Sequence, residues 1–174
     1  MSGTSSRGNP SMADIARSVG VLGVIVLALF GLGQLLTITP DKPSTSSVDY
    51  RTAVESSRTV SDFELLAPTT LPEGWRATSV RFDSDAWHLG VLTDDDAYVG
   101  LEQVRMSEER AVERFAEGSR ADGTAVIDGD TWSRRTGPDD DTTYLRRDGD
   151  VTNVVIGTAR PPEIERYISS LSAS

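Results

Sequence analysis

The chain has 174 residues, a formal net charge of −10 at pH 7, one histidine and no cysteine. The lack of cysteine excludes disulfides, thiolate metal sites and a lipid-modified lipoprotein cysteine, and an acidic surface repels nucleic acid. The sequence also contains no phosphate loop, dinucleotide fingerprint, Gly-x-Ser-x-Gly element or zinc-ligand spacing. We therefore expect no cofactor and no nucleic-acid partner.

An apolar run near the start of the chain, Val19 to Ile38, carries no charged residue. As a helix, its about 20 residues would span the roughly 30 Å hydrocarbon core of a bilayer. A cleaved secretory signal has a shorter apolar stretch, of about 7–15 residues, and ends in a small-x-small site, which this run lacks. A buried core helix is the remaining alternative. The run predicts an uncleaved single-pass anchor in contact with the lipid bilayer.

Basic residues on one flank of this run indicate its orientation. Arg7 and Arg17 precede the run, with Asp14 as the one acid, and basic residues favour the cytoplasmic flank. We expect residues 1–18 to form a disordered cytoplasmic tail and the bulk of the chain to lie outside the cell membrane. Residues 39–62, which include two prolines and a serine-rich stretch, are predicted to be a linker that contains a short helix within residues 48–62.

Residues 63–174 show the pattern of one α+β domain. Short runs at 76–82, 87–91 and 97–101 alternate between apolar and polar residues. The turns between them are too short for a crossover, which predicts an antiparallel meander. Two Asp-Gly pairs, Asp128-Gly129 and Asp148-Gly149, predict two further hairpins because Asp-Gly permits the positive φ angles of a tight turn.

Two helices complete the predicted domain. Ser107 caps the first, which ends at Gly118, and Pro161 and Pro162 begin the second. The apolar stripe of the second helix consists of Ile164, Tyr167, Ile168 and Leu171. The order of elements predicts a mainly antiparallel sheet of about seven strands with two or three helices packed on one face, an α+β sandwich.

His88 is the first candidate for chemistry. As a general base it requires a nucleophile or a carboxylate beside it, which the sequence cannot place. As a metal ligand it has no neighbouring His or Cys, and the aspartate clusters at the turns do not follow the calcium-loop pattern. The alternative is a hydrogen-bonded histidine on the sheet surface.

Tryptophan and arginine supply the other candidates. Trp87 lies on the predicted core face of its strand, which favours packing over a ligand platform. Arg134 and Arg146 belong to arginine pairs on strands predicted to be neighbours, where they would bind an anion or form cross-strand ion pairs. The candidate ligand or partner surface consists of Trp87, His88, Trp132, Arg134 and Arg146.

Several segments together resemble a known family. They are Leu71–Arg81, Trp87–Gly90, Leu101–Gln103, Asp130–Trp132 and Ile156–Ala159. They resemble DUF4245, whose members are single-pass envelope proteins of actinobacteria with an anchor followed by one domain. The resemblance implies this layout and location but no activity and no catalytic residues. The order of strands and helices is also similar to that of PsbP-type sandwiches, which are extracytoplasmic or lumenal binding modules.

Three functions follow as hypotheses. The predicted anchor and the acidic domain without a site motif favour a protein that binds an envelope protein or other envelope component without catalysis. A small-ligand carrier, with Trp87 or Trp132 in a pocket, is the second. A carboxylate-based cell-wall hydrolase is the third, and it requires two carboxylates about 5–10 Å apart in a cleft.

Overall fold

The computed structural model describes residues 47–173, which form an α+β domain. The predicted tail (1–18), the predicted membrane span (19–38) and the linker as far as residue 46 lie outside the described residues. Within residues 47–173, none of the helices has the length and apolar character needed to cross a bilayer.

Three helices and nine strands make up the described part of the chain. The helices are α1 (Tyr50–Arg58), α2 (Glu108–Phe115) and α3 (Pro161–Ser169). Seven strands form the main sheet: β2 (Arg76–Asp83), β3 (Ala86–Leu92), β4 (Tyr98–Val104), β5 (Arg120–Ile127), β6 (Asp130–Thr136), β7 (Thr142–Asp148) and β8 (Val151–Gly157). Two short strands, β1 (Ala67–Pro68) and β9 (Leu171–Ser172), pair with each other.

The main sheet is antiparallel throughout, with the strand order β2-β3-β4-β8-β7-β6-β5. The meander β2–β4 and the two hairpins β5–β6 and β7–β8 follow the predicted turns. Strand β4 pairs with β8, which joins the two halves of the sheet. The predicted α+β class and the seven antiparallel strands are confirmed.

The main core lies between one face of the sheet and helices α1 and α3. Trp87 and Leu101 of the sheet are fully buried in the same cluster as Ile164 and Tyr167 of α3. The tight turn that precedes strand β6 also forms as predicted, since Asp128 has a φ of 50° and Gly129 a φ of 88°. The alternation of apolar residues therefore identified the buried face of the strands correctly.

Helix α2 packs on the opposite face of the sheet. Its residue Ala111 is buried in a second cluster with Leu145 of β7 and Val154 of β8. The prediction that the helices share one face is therefore wrong. Leu145 and Val154 point away from the main core and need their own apolar cover, because burial contributes about 25 cal/mol per Å² of apolar surface.

Helix α1 belongs to the domain. Tyr50 and Val54 are part of the main core, and the hydroxyl of Tyr50 donates to the carbonyl oxygen of Pro68 at 3.1 Å. The short helix predicted within the linker is thus present, but its buried side chains make it part of the folded unit. Leu171, predicted to continue the stripe of the last helix, lies in β9 instead, because α3 ends at Ser169.

Candidate functional site

A cleft opens between residues 62–66 and the ends of strands β4, β7 and β8. Its volume is about 270 Å³. We call it the Arg146 cleft. Its lining consists of Asp62, Phe63, Glu64, Leu66, Gln103, Arg146, Asp148, Asp150, Val151 and Asn153. A smaller pocket of about 80 Å³ shares Leu66 and Arg146 with the cleft and includes Trp132.

Two buried amides form the floor of the Arg146 cleft. The side-chain oxygen of Gln103 accepts from the backbone N–H of Leu66 at 2.6 Å, and its nitrogen donates to the carbonyl oxygen of Glu64 at 3.1 Å and to Oδ1 of Asn153 at 2.9 Å. Asn153 is only 1% exposed, its Oδ1 is taken up by Gln103, and its amide lines the cleft. The floor therefore offers an N–H donor to a bound group.

Arg146 lies at the boundary between the two cavities. Its guanidinium carbon is 5.2 Å from the centroid of the Trp132 ring, which is cation–π geometry. It pairs with Asp130, and its Nη2 lies 3.7 Å from a carboxylate oxygen of Asp148. The structure thus brings together Arg146 and Trp132, two of the five residues singled out from the sequence.

The rim of the Arg146 cleft is acidic. Four carboxylates line it, those of Asp62, Glu64, Asp148 and Asp150. Arg105 partly neutralises the rim, since its nitrogens lie 3.9 Å from Asp62 and 3.3 Å from Asp150. Counting Arg105 and Arg146 against these four acids leaves the rim with an excess of negative charge.

Trp87 and Arg134 lie outside both cavities. Trp87 is fully buried, and its Nε1 donates to the carbonyl oxygen of Leu66 at 3.0 Å. It therefore holds the 62–66 segment from the core side. Arg134 pairs with Asp122 on the neighbouring strand β5 at 3.1 Å, which is the cross-strand ion pair considered from the sequence.

His88 lies on the face of the sheet opposite the main core. With Ser79 and Glu102 it forms a group that we call the His88 cluster. Its Nε2 is 2.8 Å from Oγ of Ser79 on β2, and its Nδ1 is 2.5 Å from Oε1 of Glu102 on β4. The side chains of His88 and Glu102 are 15% and 13% exposed. The structure therefore supplies both the hydroxyl and the carboxylate that the sequence could not place beside His88.

The ring of Tyr98 lies over two glycines next to this cluster. A Cβ built on Gly90 would overlap Oγ of Ser79 and lie 3.0 Å from the hydroxyl oxygen of Tyr98. A Cβ on Gly100 would come within 3.0 Å of the same ring. Burial, followed by the charge of Glu102, raises the pKa of Tyr98 above its ordinary value, so its hydroxyl keeps its proton.

Comparison with known families places the chain in one of them. A family model described as "Protein of unknown function (DUF4245)" matches residues 7–171. The chain belongs to the DUF4245 family. A search of curated proteins finds no match.

The DUF4245 match covers the Arg146 cleft and the His88 cluster alike, and it assigns a role to neither. Within residues 47–173, no group of three or more His, Cys, Asp or Glu side chains is arranged to hold a metal ion.

Sequence reasoning missed Ser79, Glu102, Gln103 and Asn153 as site residues. Alternation alone places Ser79 and Glu102 on the polar face of their strands. The pairing of β2 with β3 and of β3 with β4 then brings them to His88. Gln103 and Asn153 sit at buried positions of otherwise apolar strands, and a buried amide there indicates a hydrogen-bonded network.

Proposed function

We propose that this DUF4245 protein is a single-pass envelope protein that displays a partner-binding domain outside the cell membrane. The uncharged run from Val19 to Ile38, with Arg7 and Arg17 before it, supports an anchor whose N-terminus lies in the cytoplasm. The domain then reaches its partner through the Arg146 cleft, and binding there involves no chemical step.

The amide of Asn153 in the floor of the Arg146 cleft, together with the acidic rim around it, is the observation that carries this proposal. This amide supplies an N–H donor, and a hydrogen bond from it to a bound acceptor would contribute about 0.5–1.5 kcal/mol. The backbone carbonyl of an extended polypeptide is such an acceptor. The acidic rim formed by Asp62, Glu64, Asp148 and Asp150 adds attraction for a basic side chain on the same segment.

Two observations disfavour the alternative functions, a small-ligand carrier and a carboxylate-based hydrolase. Pockets for small molecules usually measure about 300–1,000 Å³, whereas the pocket that includes Trp132 measures about 80 Å³. A carrier function for Trp132 therefore has little room, and Trp87 lines neither cavity. A carboxylate-based hydrolase is also disfavoured, since Asp62, Asp148 and Asp150 of the rim pair with arginines.

The membrane topology is tested by cysteine labelling. The chain contains no cysteine, so Ser5→Cys and Ser84→Cys each introduce a single reactive thiol. In intact cells, a membrane-impermeant maleimide should label Ser84→Cys and should label Ser5→Cys only after lysis. Both variants should stay in the membrane fraction. Labelling in the reverse order, or a chain in the soluble fraction, would contradict the proposed anchor.

The binding role of the cleft is tested by site-specific photo-crosslinking in intact cells. A photo-reactive amino acid at Glu64, on the cleft rim, should capture one reproducible partner protein. The same group at Val126, which is 72% exposed on strand β5, provides the control and should not capture it. We expect the captured segment of the partner to contain Lys or Arg, because the rim is acidic.

Charge reversal then asks whether the rim attracts the partner. Asp62→Lys should lower capture at Glu64 about fivefold, which corresponds to about 1 kcal/mol. Asp139→Lys is the matched control, since Asp139 is exposed in the loop at the far end of β7. Equal loss in both variants, or no loss in Asp62→Lys, would show that the partner does not use this cleft.

A further inference from the structure

The His88 cluster has the connectivity of an activated serine. In such a centre a hydroxyl donates to one nitrogen of an imidazole, and the other nitrogen donates to a carboxylate. Ser79, His88 and Glu102 show these two contacts, at 2.8 and 2.5 Å. Each residue comes from a different strand of one antiparallel meander, so the arrangement is carried by the sheet itself rather than by a loop.

We propose that Ser79 is a nucleophile that accepts acyl groups from small esters, with His88 as its general base. Glu102 acts as the positioning residue for His88. This centre lies on the face of the sheet opposite the main core, so the inference does not rest on the role proposed for the Arg146 cleft. It adds a reaction to a domain whose cleft acts by binding.

Glu102 determines which nitrogen of His88 carries the proton. Its carboxylate is an acceptor only, so the Nδ1 atom that contacts it at 2.5 Å must be the N–H donor. In neutral imidazole the lone pair then resides on Nε2, which faces the hydroxyl of Ser79 at 2.8 Å. This is the tautomer that removes a proton from serine as the hydroxyl attacks a carbonyl carbon.

Gly90 and Tyr98 define the immediate surroundings of Ser79. Gly90 lies beneath it, and any side chain there would overlap Oγ of Ser79. Tyr98 borders the same position with its hydroxyl, whose raised pKa keeps it a hydrogen-bond donor. That hydroxyl is the group placed to donate to the oxyanion that develops during acyl transfer.

The strand geometry supports access to this centre. The pairing of β2 with β3 shifts register between Ala77 and Ser79, and such bulges re-aim side chains and are frequent beside active sites. Helix α2, which packs on this face, lies mainly against β7 and β8. The centre is thus partly shielded by its neighbours and still reachable from solvent.

The proposed reaction balances as ester hydrolysis. Oγ of Ser79 bonds to the carbonyl carbon while Nε2 of His88 takes the hydroxyl proton. The ester C–O bond then breaks, and the leaving alcohol takes that proton. Water next attacks the acyl-serine and gives a proton to His88, which returns it to Oγ as the C–Oγ bond breaks. The net change is ester plus water to carboxylic acid plus alcohol.

The wild-type protein provides the primary test. The full chain, purified in detergent, is incubated with a fluorophosphonate probe, which forms a stable adduct with activated serines, and the adduct is mapped by peptide mass spectrometry. We expect the adduct on Ser79. Ser133 on the same sheet face and Ser84 in an exposed turn have no histidine beside them, because His88 is the only one in the chain, and should stay unlabelled. An unlabelled Ser79, or equal labelling of the three serines, overturns the proposal.

Turnover of p-nitrophenyl acetate by matched variants separates chemistry from background. Ser79→Ala should reduce p-nitrophenolate release to the level without protein, and His88→Gln should lower the rate about 10²–10⁴-fold, the usual contribution of a general base. Ser133→Ala should leave the rate unchanged. A rate that persists in Ser79→Ala would show that this serine is not the nucleophile.

The positioning role of Glu102 has its own readout. His88 is the only histidine in the chain, so the ring nitrogens give a single set of NMR signals. The wild type should show the proton on Nδ1, and Glu102→Ala should shift the population toward the Nε2–H tautomer and slow fluorophosphonate labelling of Ser79. If the tautomer is the same in both proteins, Glu102 does not orient His88.

Discussion

Replacing Gln103 with leucine should lower the free energy of unfolding by about 2–4 kcal/mol, although the volume of the side chain hardly changes. Gln103 is 2% exposed, and its amide serves the N–H of Leu66, the carbonyl of Glu64 and Oδ1 of Asn153. Each buried polar group left without a partner costs about 1–3 kcal/mol. Two such groups remain in this variant, the N–H of Leu66 and Oδ1 of Asn153, because Glu64 is exposed and water can reach its carbonyl.

The matched control is Thr143→Val, another replacement of a buried polar residue by an apolar one of similar shape. Thr143 is fully buried in strand β7, and its hydroxyl makes no hydrogen bond to the described residues. Removing that hydroxyl leaves no partner stranded, so the variant should be neutral or slightly more stable. The contrast between the two variants isolates hydrogen-bond satisfaction from side-chain volume.

Urea unfolding of the folded domain, whose described residues 47–173 belong to one compact unit, measures both variants. The three tryptophans report the transition by fluorescence. If Gln103→Leu unfolds at the wild-type urea concentration, the amide network does not hold the 62–66 segment. The Arg146 cleft would then lack the ordered wall on which the proposed function depends.

Local patterns were sufficient to predict the seven strands of the main sheet and the helices, but not the short strands β1 and β9. The Asp128-Gly129 pair produced a tight turn because both residues accept positive φ, and Ser107 capped α2 by accepting from the N–H of Arg110. Alternation also identified the buried face, since Trp87 and Leu101 are fully buried. These predictions depend on neighbours within a few residues, where one sequence carries enough information.

The sites depend on contacts that local patterns do not contain. His88 meets Ser79 and Glu102 only because of the register of three strands, and alternation predicts a face but not a register. The pairing of β4 with β8 similarly brings Gln103 to Asn153, a separation of 50 residues. The sequence also did not predict on which face of the sheet α2 packs. Both faces of β7 and β8 carry apolar residues, so the local pattern does not distinguish them.

Gly157→Ala should also be strongly destabilising, by about 3 kcal/mol, which is the upper end of the usual cost of overpacking. A Cβ at this position would overlap the carbonyl oxygen of Tyr98 and lie 3.1 Å from the Cα of Val99. Both are backbone atoms of β4, so no side-chain rotation can relieve the clash. The central β4–β8 pairing, which joins the two halves of the sheet, would have to open.

Gly149→Ala distinguishes this steric effect from backbone conformation. Gly149 has a φ of 59°, and no atom lies within 4 Å of a Cβ built there. Alanine at this position should therefore lower the free energy of unfolding only by the cost of a left-handed backbone, about 1–2 kcal/mol. Hydrogen exchange should show faster exchange along β4 and β8 in Gly157→Ala and only near the turn in Gly149→Ala. Equal destabilisation with equal exchange patterns in the two variants would mean that β8 can move away from β4 without an additional loss of stability. In that case the contact between Gln103 and Asn153, which depends on the same pairing, could not be a rigid floor for a bound partner.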